Sequence, residues 1–406
     1  MIKGAKRVGK KDKINKIIYL LGVFCVIVLN IMAWMSVEFC DWYVQYIHPV
    51  WLNTYARLTS SVPFSIGEIM LIMAVIITCI GIGWGILNVI KKNKYKKALC
   101  VFARFYAWVF LIVCYIMTCN CFILYHASGF EDKYMVKESD QTLVAAVSDD
   151  IVVHTLNLKK NNSDITSNYS KKELAILRDY LVEKCNMLAL EIERDDSGAA
   201  VYNGNLIAEA TKAMKNLGEK YDQLSGFYVT PKYLSCSEFF SQQYIMGYYF
   251  PFSLEANINS VMYITNVAPT VCHELSHTKG FMNEDDANFI GFLACIESED
   301  TFLEYCGYLS VLNYVNNDFY QSINKNKNKY KKHVRISDLV ADDNVFLTRE
   351  DWQVVEKKAV VKTATVKKVS NTIMETTLKL NGIEQGMQQY DEVVDLLLKY
   401  YDGELY

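Results

Sequence analysis

The chain lacks a basic excess. Its 406 residues carry 42 Lys and Arg against 45 Asp and Glu, a formal net charge of −3. A nucleic-acid partner requires an electropositive footprint, so no nucleic acid is expected. The chain also has no Cys-x-x-Cys pair, which argues against a thiolate zinc site. Of its twelve cysteines, seven lie at or before position 121, mostly in apolar runs where a thiol acts as a small apolar group. The five beyond (Cys185, Cys236, Cys272, Cys295 and Cys306) are an odd set without tight spacing, which is not a disulfide framework. No internal repeat is evident. Histidine is scarce, six in all, yet two fall within one window of five residues.

Apolar residues are crowded into positions 1–126. Residues 17–36, 69–90 and 105–125 contain no charge, and each supplies the ~20 mainly apolar residues of a bilayer-spanning helix. Residues 1–16 carry Lys3, Lys6, Arg7, Lys10, Lys11, Lys13 and Lys16 against Asp12 alone. Residues 91–104 carry Lys91, Lys92, Lys94, Lys96, Lys97 and Arg104 with no acid, whereas Arg57 is the only Lys or Arg between the first two runs. Short basic loops stay in the cytoplasm. The expected topology is a multi-pass protein of the cell membrane, with a cytoplasmic N-terminus, residues 37–68 outside, and everything after about 126 outside. Trp34, Trp42 and Trp51 suit the outer interface. The first run is long for a signal peptide and no small-x-small site follows, so an uncleaved anchor is expected.

The rest divides into a polar linker at 127–170 and an extracytoplasmic domain at 171–406. Helical spacing covers 171–194 and 202–221. Short β-rich pieces follow at 226–229, 244–250 and 260–264, and the pattern from Pro269 onward is almost all helical. The order predicts an α+β, mainly helical domain behind three N-terminal transmembrane helices. Residues 260–264 directly precede the segment carrying the two histidines, where an edge strand could pair with an extended peptide. His126 marks the membrane interface, and His333 lies in a basic loop expected to be solvated.

The chemistry concentrates at 266–290. Pro269 suits the first turn of a helix and Gly280 its stop. Between them His273 and His277 stand four apart, on one helical face, where both imidazoles can converge on one Zn2+. Glu274 projects about 100° away, beside the metal's open position, as the general base. A catalytic zinc takes a third protein ligand. Asn283 is a good N-cap for a second helix, and Glu284 in its first turn is the leading candidate, with Asp285 and Asp286 as alternatives and Glu255 an outsider. Asn288, four residues beyond Glu284, could accept the second ring N–H of a ligand histidine.

At these residues the sequence resembles known families. The spacing Glu284-x-x-Ala287-Asn288 is similar to the Glu-x-x-x-Asp element of gluzincin peptidases, with Asn in place of Asp and a shorter gap from His277. The run from His273 to Gly280 resembles the metzincin start, but Asn283 stands where their third histidine would be. Residues 62–68, 249–257, 273–289 and 385–395 together resemble an uncharacterised family of bacterial membrane proteins with a few N-terminal spans and a zincin-like domain. That resemblance implies the architecture and leaves the substrate open. Zincins also need an oxyanion stabiliser, often Tyr, His or Arg; Tyr390, inside the last of these stretches, is the candidate.

The expected protein is a membrane-anchored, zinc-dependent metallopeptidase. Its partners are a peptide or protein substrate and the lipid bilayer. A non-peptidase amide hydrolase acting on cell-envelope material and a catalytically inactive scaffold are the rivals.

Overall fold

The computed structural model describes residues 2–135, 169–380 and 392–406. Three long helices come first: α1 (Ile2–Met35), α2 (Ile66–Ile90) and α3 (Lys96–Met117). The Ser65 side chain caps α2 by accepting from Glu68 N. Lys92 and Asn93 take left-handed φ values of 47° and 65°, turning the chain between α2 and α3. Asn88 closes that turn, accepting from Tyr95 N and donating to Asn93 Oδ1. Residues Lys13–Met35, Ile66–Ile90 and Lys96–Tyr125 are long and apolar enough to cross a bilayer. Their outward side chains, Phe24, Ile27, Val75, Val89 and Phe110 among them, are exposed. Such a continuous apolar sleeve is compatible with a membrane protein.

The third apolar run divides its surface between two environments. Beyond Met117 the helix continues through a π-helical turn, Thr118–Phe122, and a last turn, Ile123–Tyr125. Thr118, Cys119, Asn120, Ile123 and Leu124 are buried within the protein. Asn120 donates to Pro251 O at 3.1 Å, and its carbonyl accepts from Tyr249 Oη at 3.0 Å. The run expected at 105–125 falls within the candidate span Lys96–Tyr125, whose final turns are largely buried in the protein.

Residues 37–60 form short α and π turns whose Tyr43, Val44, Leu52 and Ala56 enter the main core. His48 Nε2 donates to Thr278 O at 2.9 Å, and Tyr55 Oη to Phe252 O at 2.7 Å. The helical domain thus sits on the end of the three helices that carries residues 37–68, opposite residues 91–97. The expected tether at 127–170 is corrected at its start. Phe130–Tyr134 is a helix, and Phe130, 1% exposed, packs on the rings of Tyr221, Phe281 and Phe289. A polar average over the segment hides that single aromatic anchor. Residues 136–168 lie outside the described residues.

The domain contains α4 (Lys171–Leu188), α5 (Leu206–Leu217), α6 (Val267–Thr278), α7 (Glu284–Ile296), α8 (Thr301–Ser322), α9 (Thr363–Leu380) and α10 (Glu392–Tyr400). A capping box between Ser170 and Glu173 starts α4, and Leu177, Leu181 and Cys185 form its buried stripe against α8. At the centre, α6 packs on α5, α7, α8 and the sheet. The sheet has three strands: β1 (Lys232–Tyr233), β2 (Gly247–Phe250) and β3 (Glu255–Ile258). Their order is β1-β3-β2, with β1 parallel and β2 antiparallel to β3, Tyr248 lying opposite Asn257. Residues 226–229 and 260–264 are not strands, so the edge facing α6 is β2. The central strand, β3, is buried throughout. All twelve cysteines are free.

One buried carboxylate ties the sheet to the long helices. Glu255 on β3 accepts from Ile66 N at 3.1 Å and Gly67 N at 2.7 Å, the first amides of α2, and pairs with Lys232 Nζ. A negative charge at a helix N-terminus is favourable, and the lysine balances it. Glu255 is thereby committed to structure.

Candidate metal centre

The local sequence builds a helix, a tight stop and a second helix. Gly280, with φ of 96°, ends α6 in the left-handed conformation that a side chain would disfavour. Asn283 then caps α7, its side chain accepting from Asp285 N. The reversal brings the first turn of α7 back against α6. His273 Nε2 and His277 Nε2 lie 3.0 Å apart. Glu284 Oε2 is 3.2 Å from the former and Glu284 Oε1 is 3.8 Å from the latter. Ligand bonds of roughly 2.0–2.2 Å at tetrahedral angles separate donor atoms by roughly 3.3–3.6 Å. The three side chains could hold one metal ion at that spacing.

The outer contacts determine which ring nitrogens face inward. His277 Nδ1 meets the Phe281 carbonyl at 2.7 Å, so it must carry the proton. His273 Nδ1 meets Asn288 Oδ1 at 2.9 Å and donates likewise. Both Nε2 atoms are then bare lone pairs aimed at one point, with a carboxylate completing the triangle. That arrangement is repulsive unless a cation lies between them. A proton on His273 Nε2 can serve as that cation. Burial opposes charge on His273, but Glu284, Glu274 and Asn288 overcome it and raise the imidazole to about 9. Burial, followed by the His273 charge, lowers His277 to about 4. Burial also opposes the Glu284 charge, yet the His273 hydrogen bond and both imidazoles hold its carboxyl at about 2.

Glu274 occupies the adjacent position. It is buried, and its Oε2 has no hydrogen-bond partner among the described residues. Burial, opposed by His273 and reinforced by Glu284, raises its carboxyl to about 8. Gly247 on β2 packs directly against it: a Cβ there would lie 2.4 Å from Glu274 Oε1. The edge strand and the carboxylate can be this close only because position 247 has no side chain. Sequence reasoning did not single out Gly247, because its role arises from a contact between distant segments.

The other carboxylates considered for the third ligand point elsewhere. Asp285 Oδ1 accepts from Val393 N and Asp286 Oδ1 from Phe130 N, both at 3.1 Å. They anchor α10 and the Phe130 turn. Tyr390 lies outside the described residues. Tyrosines that line the same cavity include Tyr125, Tyr244, Tyr248, Tyr249 and Tyr314. Of these, Tyr249 is engaged with Asn120 O. Burial, with nearby Cys121, Glu274 and Glu284, raises the Tyr248 phenol. His126 packs on Trp34 and Phe122. His333 is not simply solvated: its Nδ1 lies 2.8 Å from Asp179 and its ring packs on Phe319.

The cavity measures about 820 Å³ and holds His273, Glu274, His277 and Glu284. It is also lined by Leu71 of α2 and by Met117, Cys121 and Tyr125 along α3 and its continuation. No curated protein and no solved structure matches the chain. A family model described as a protein of unknown function (DUF3810) matches residues 43–398. That match spans the α2–α3 hairpin, the sheet and the paired helices of the site, and the chain belongs to the DUF3810 family.

Proposed function

We propose that this chain is a membrane-anchored, zinc-dependent metallopeptidase with a zincin-like domain, acting outside the cytoplasm. The observation that carries the reading is the convergence of two inward-facing imidazole nitrogens and Glu284 beside Glu274, whose Oε2 has no hydrogen-bond partner among the described residues. His273, His277 and Glu284 are the proposed ligands, and Asn288 orients His273. A zinc ion held there supplies Lewis acidity and lowers the pKa of water toward neutrality. A purely structural metal site has no use for a buried, unpaired carboxylate next to it.

The residues of the chain then divide the work. Glu274 removes a proton from the attacking water as its oxygen bonds to the scissile carbonyl carbon. The same carboxyl returns that proton to the leaving nitrogen as the C–N bond breaks. The free edge of β2 offers backbone groups to an extended peptide, with Gly247 bringing that edge against Glu274. The basic segments 1–16 and 91–104 favour a cytoplasmic N-terminus, which leaves the domain outside.

The test uses full-length protein in detergent or bilayers, with metal content and peptide cleavage measured together. Glu274→Gln should keep zinc and lose activity by on the order of 100- to 10,000-fold. Protein that binds no zinc, or cleavage unaffected by Glu274→Gln, would refute the reading. Running cell-wall fragments beside peptides separates peptidase from other amide hydrolase activity.

A further inference from the structure

We propose that the substrate is a membrane-anchored polypeptide, cut in the segment that emerges directly from the outer face of the bilayer. The inference rests on the hydrolase reading and adds where the scissile bond must lie.

The cavity floor is made by the long helices themselves. Leu71 lies five residues into α2, and Met117 is the last residue of α3 before the π turn. The first turn of α2 is held in the domain: Gly67 and Glu68 are buried, and the Glu68 carboxylate accepts from Ser235 N and Cys236 N at 2.8 and 3.1 Å. Beyond α3, Thr118, Cys119, Asn120, Ile123 and Leu124 are buried as well. Counting ~20 residues for the hydrocarbon core puts Leu71 and Met117 at its outer boundary. Tyr125 shares the cavity with Glu284 and lies eight residues beyond Met117. At 1.5 Å per residue that is about 12 Å. The cavity therefore begins where the hydrocarbon ends, and its cage stands about 12 Å higher, past the roughly 5–8 Å of headgroup on that side.

The connection is rigid. Tyr249 of β2 donates to Asn120 O, Asn120 donates to Pro251 O, and Glu255 of β3 accepts from the first amides of α2. No flexible stalk separates the described domain from these helices, so the cavity cannot be lifted away from the membrane. Among its lining residues, the aromatic side chains of Phe239, Tyr244 and Tyr248 are exposed. A peptide from bulk solvent gains nothing from a lipid-level floor. A chain already rising from the bilayer meets floor, aromatic lining and β2 edge in order.

The experiment reconstitutes full-length protein in phosphatidylcholine vesicles. Each substrate carries one cleavable sequence, either free or joined to a single transmembrane helix through a spacer. Extended chain covers about 3.3–3.6 Å per residue, so a spacer of about 4 residues reaches the cage. A flexible spacer of about 30 residues dilutes the sequence by roughly the 3/2 power of length, about 20-fold. The expected result is Glu274-dependent cleavage fastest for the short spacer, about 20-fold slower for the long one, and slowest for the free peptide. Glu274-dependent cleavage that favours the long spacer or the free peptide overturns this inference and leaves the peptidase reading standing. The absence of Glu274-dependent cleavage in every arm overturns both.

Discussion

Replacing Gly247 with alanine should separate metal binding from catalysis. The added Cβ would meet Glu274 Oε1, Cγ and Cδ at 2.4, 2.6 and 2.8 Å. Ordinary contacts begin near 3.4 Å, so about 1 Å must be found. The strand is poorly placed to yield, since β2 pairs with β3 along its length and Tyr249 is fixed to Asn120. The carboxylate, whose Oε2 has no partner among the described residues, is the group that moves. A 1 Å misplacement of a catalytic group costs on the order of 100-fold, or about 2.7 kcal/mol of transition-state stabilisation. The nearest atoms to that Cβ are all of Glu274 and none belongs to the proposed ligands His273, His277 and Glu284, so metal content should be unchanged. The assay is kcat on a cleaved peptide, measured beside zinc stoichiometry. Combining Gly247→Ala with Glu274→Gln should add little to Glu274→Gln alone, because both act through one carboxylate. Wild-type turnover in Gly247→Ala, or loss of zinc with it, would refute the reasoning.

Three further outcomes are expected. Asn288→Ala frees the His273 ring and should weaken zinc binding by about 10- to 100-fold, read by competition with a chromophoric chelator. Glu255→Ala leaves Lys232 buried without its counter-charge and exposes the first amides of α2; a loss of about 3–5 kcal/mol should appear as a large drop in unfolding midpoint, with Lys232→Met/Glu255→Leu less severe. His48 is held neutral: burial, with Lys279 adding to it, lowers its pKa from 6.5 to about 4 against the Thr278 hydrogen bond. The unfolded chain therefore binds a proton that the folded one refuses between pH 6.5 and 4. Stability should fall by up to about 3 kcal/mol as pH drops through that window, and His48→Gln should flatten that part of the profile in detergent melts.

The centre was readable because its information is local. His273, Glu274 and His277 share one helix, while Gly280 and the Asn283 cap dictate the return that presents Glu284 and Asn288. Placing Gly247 beside Glu274 required the sheet, whose β3 register no periodicity in residues 255–258 announces. The expected strand at 260–264 failed for the same reason: its composition suits a strand, but the chain there turns into α6. Hydropathy marked the run to Tyr125 but not the burial of most of residues 118–125, because apolar composition is the same signal whether lipid or protein covers it. Phe130 escaped notice as one aromatic in a polar stretch.

Glu255 gives the molecule a mechanical property as well as a structural tie. It holds β3 to the start of α2, β3 carries β2, and β2 presses on Glu274 through Gly247. A tilt of α2 would be transmitted along that line to the Glu274 carboxylate. Helices tilt to match the thickness of the bilayer around them. Membrane thickness thereby becomes an input to the site, and turnover should change between vesicles of short-chain and long-chain lipids. A rate indifferent to acyl length would mean that the strain is absorbed before it reaches the sheet.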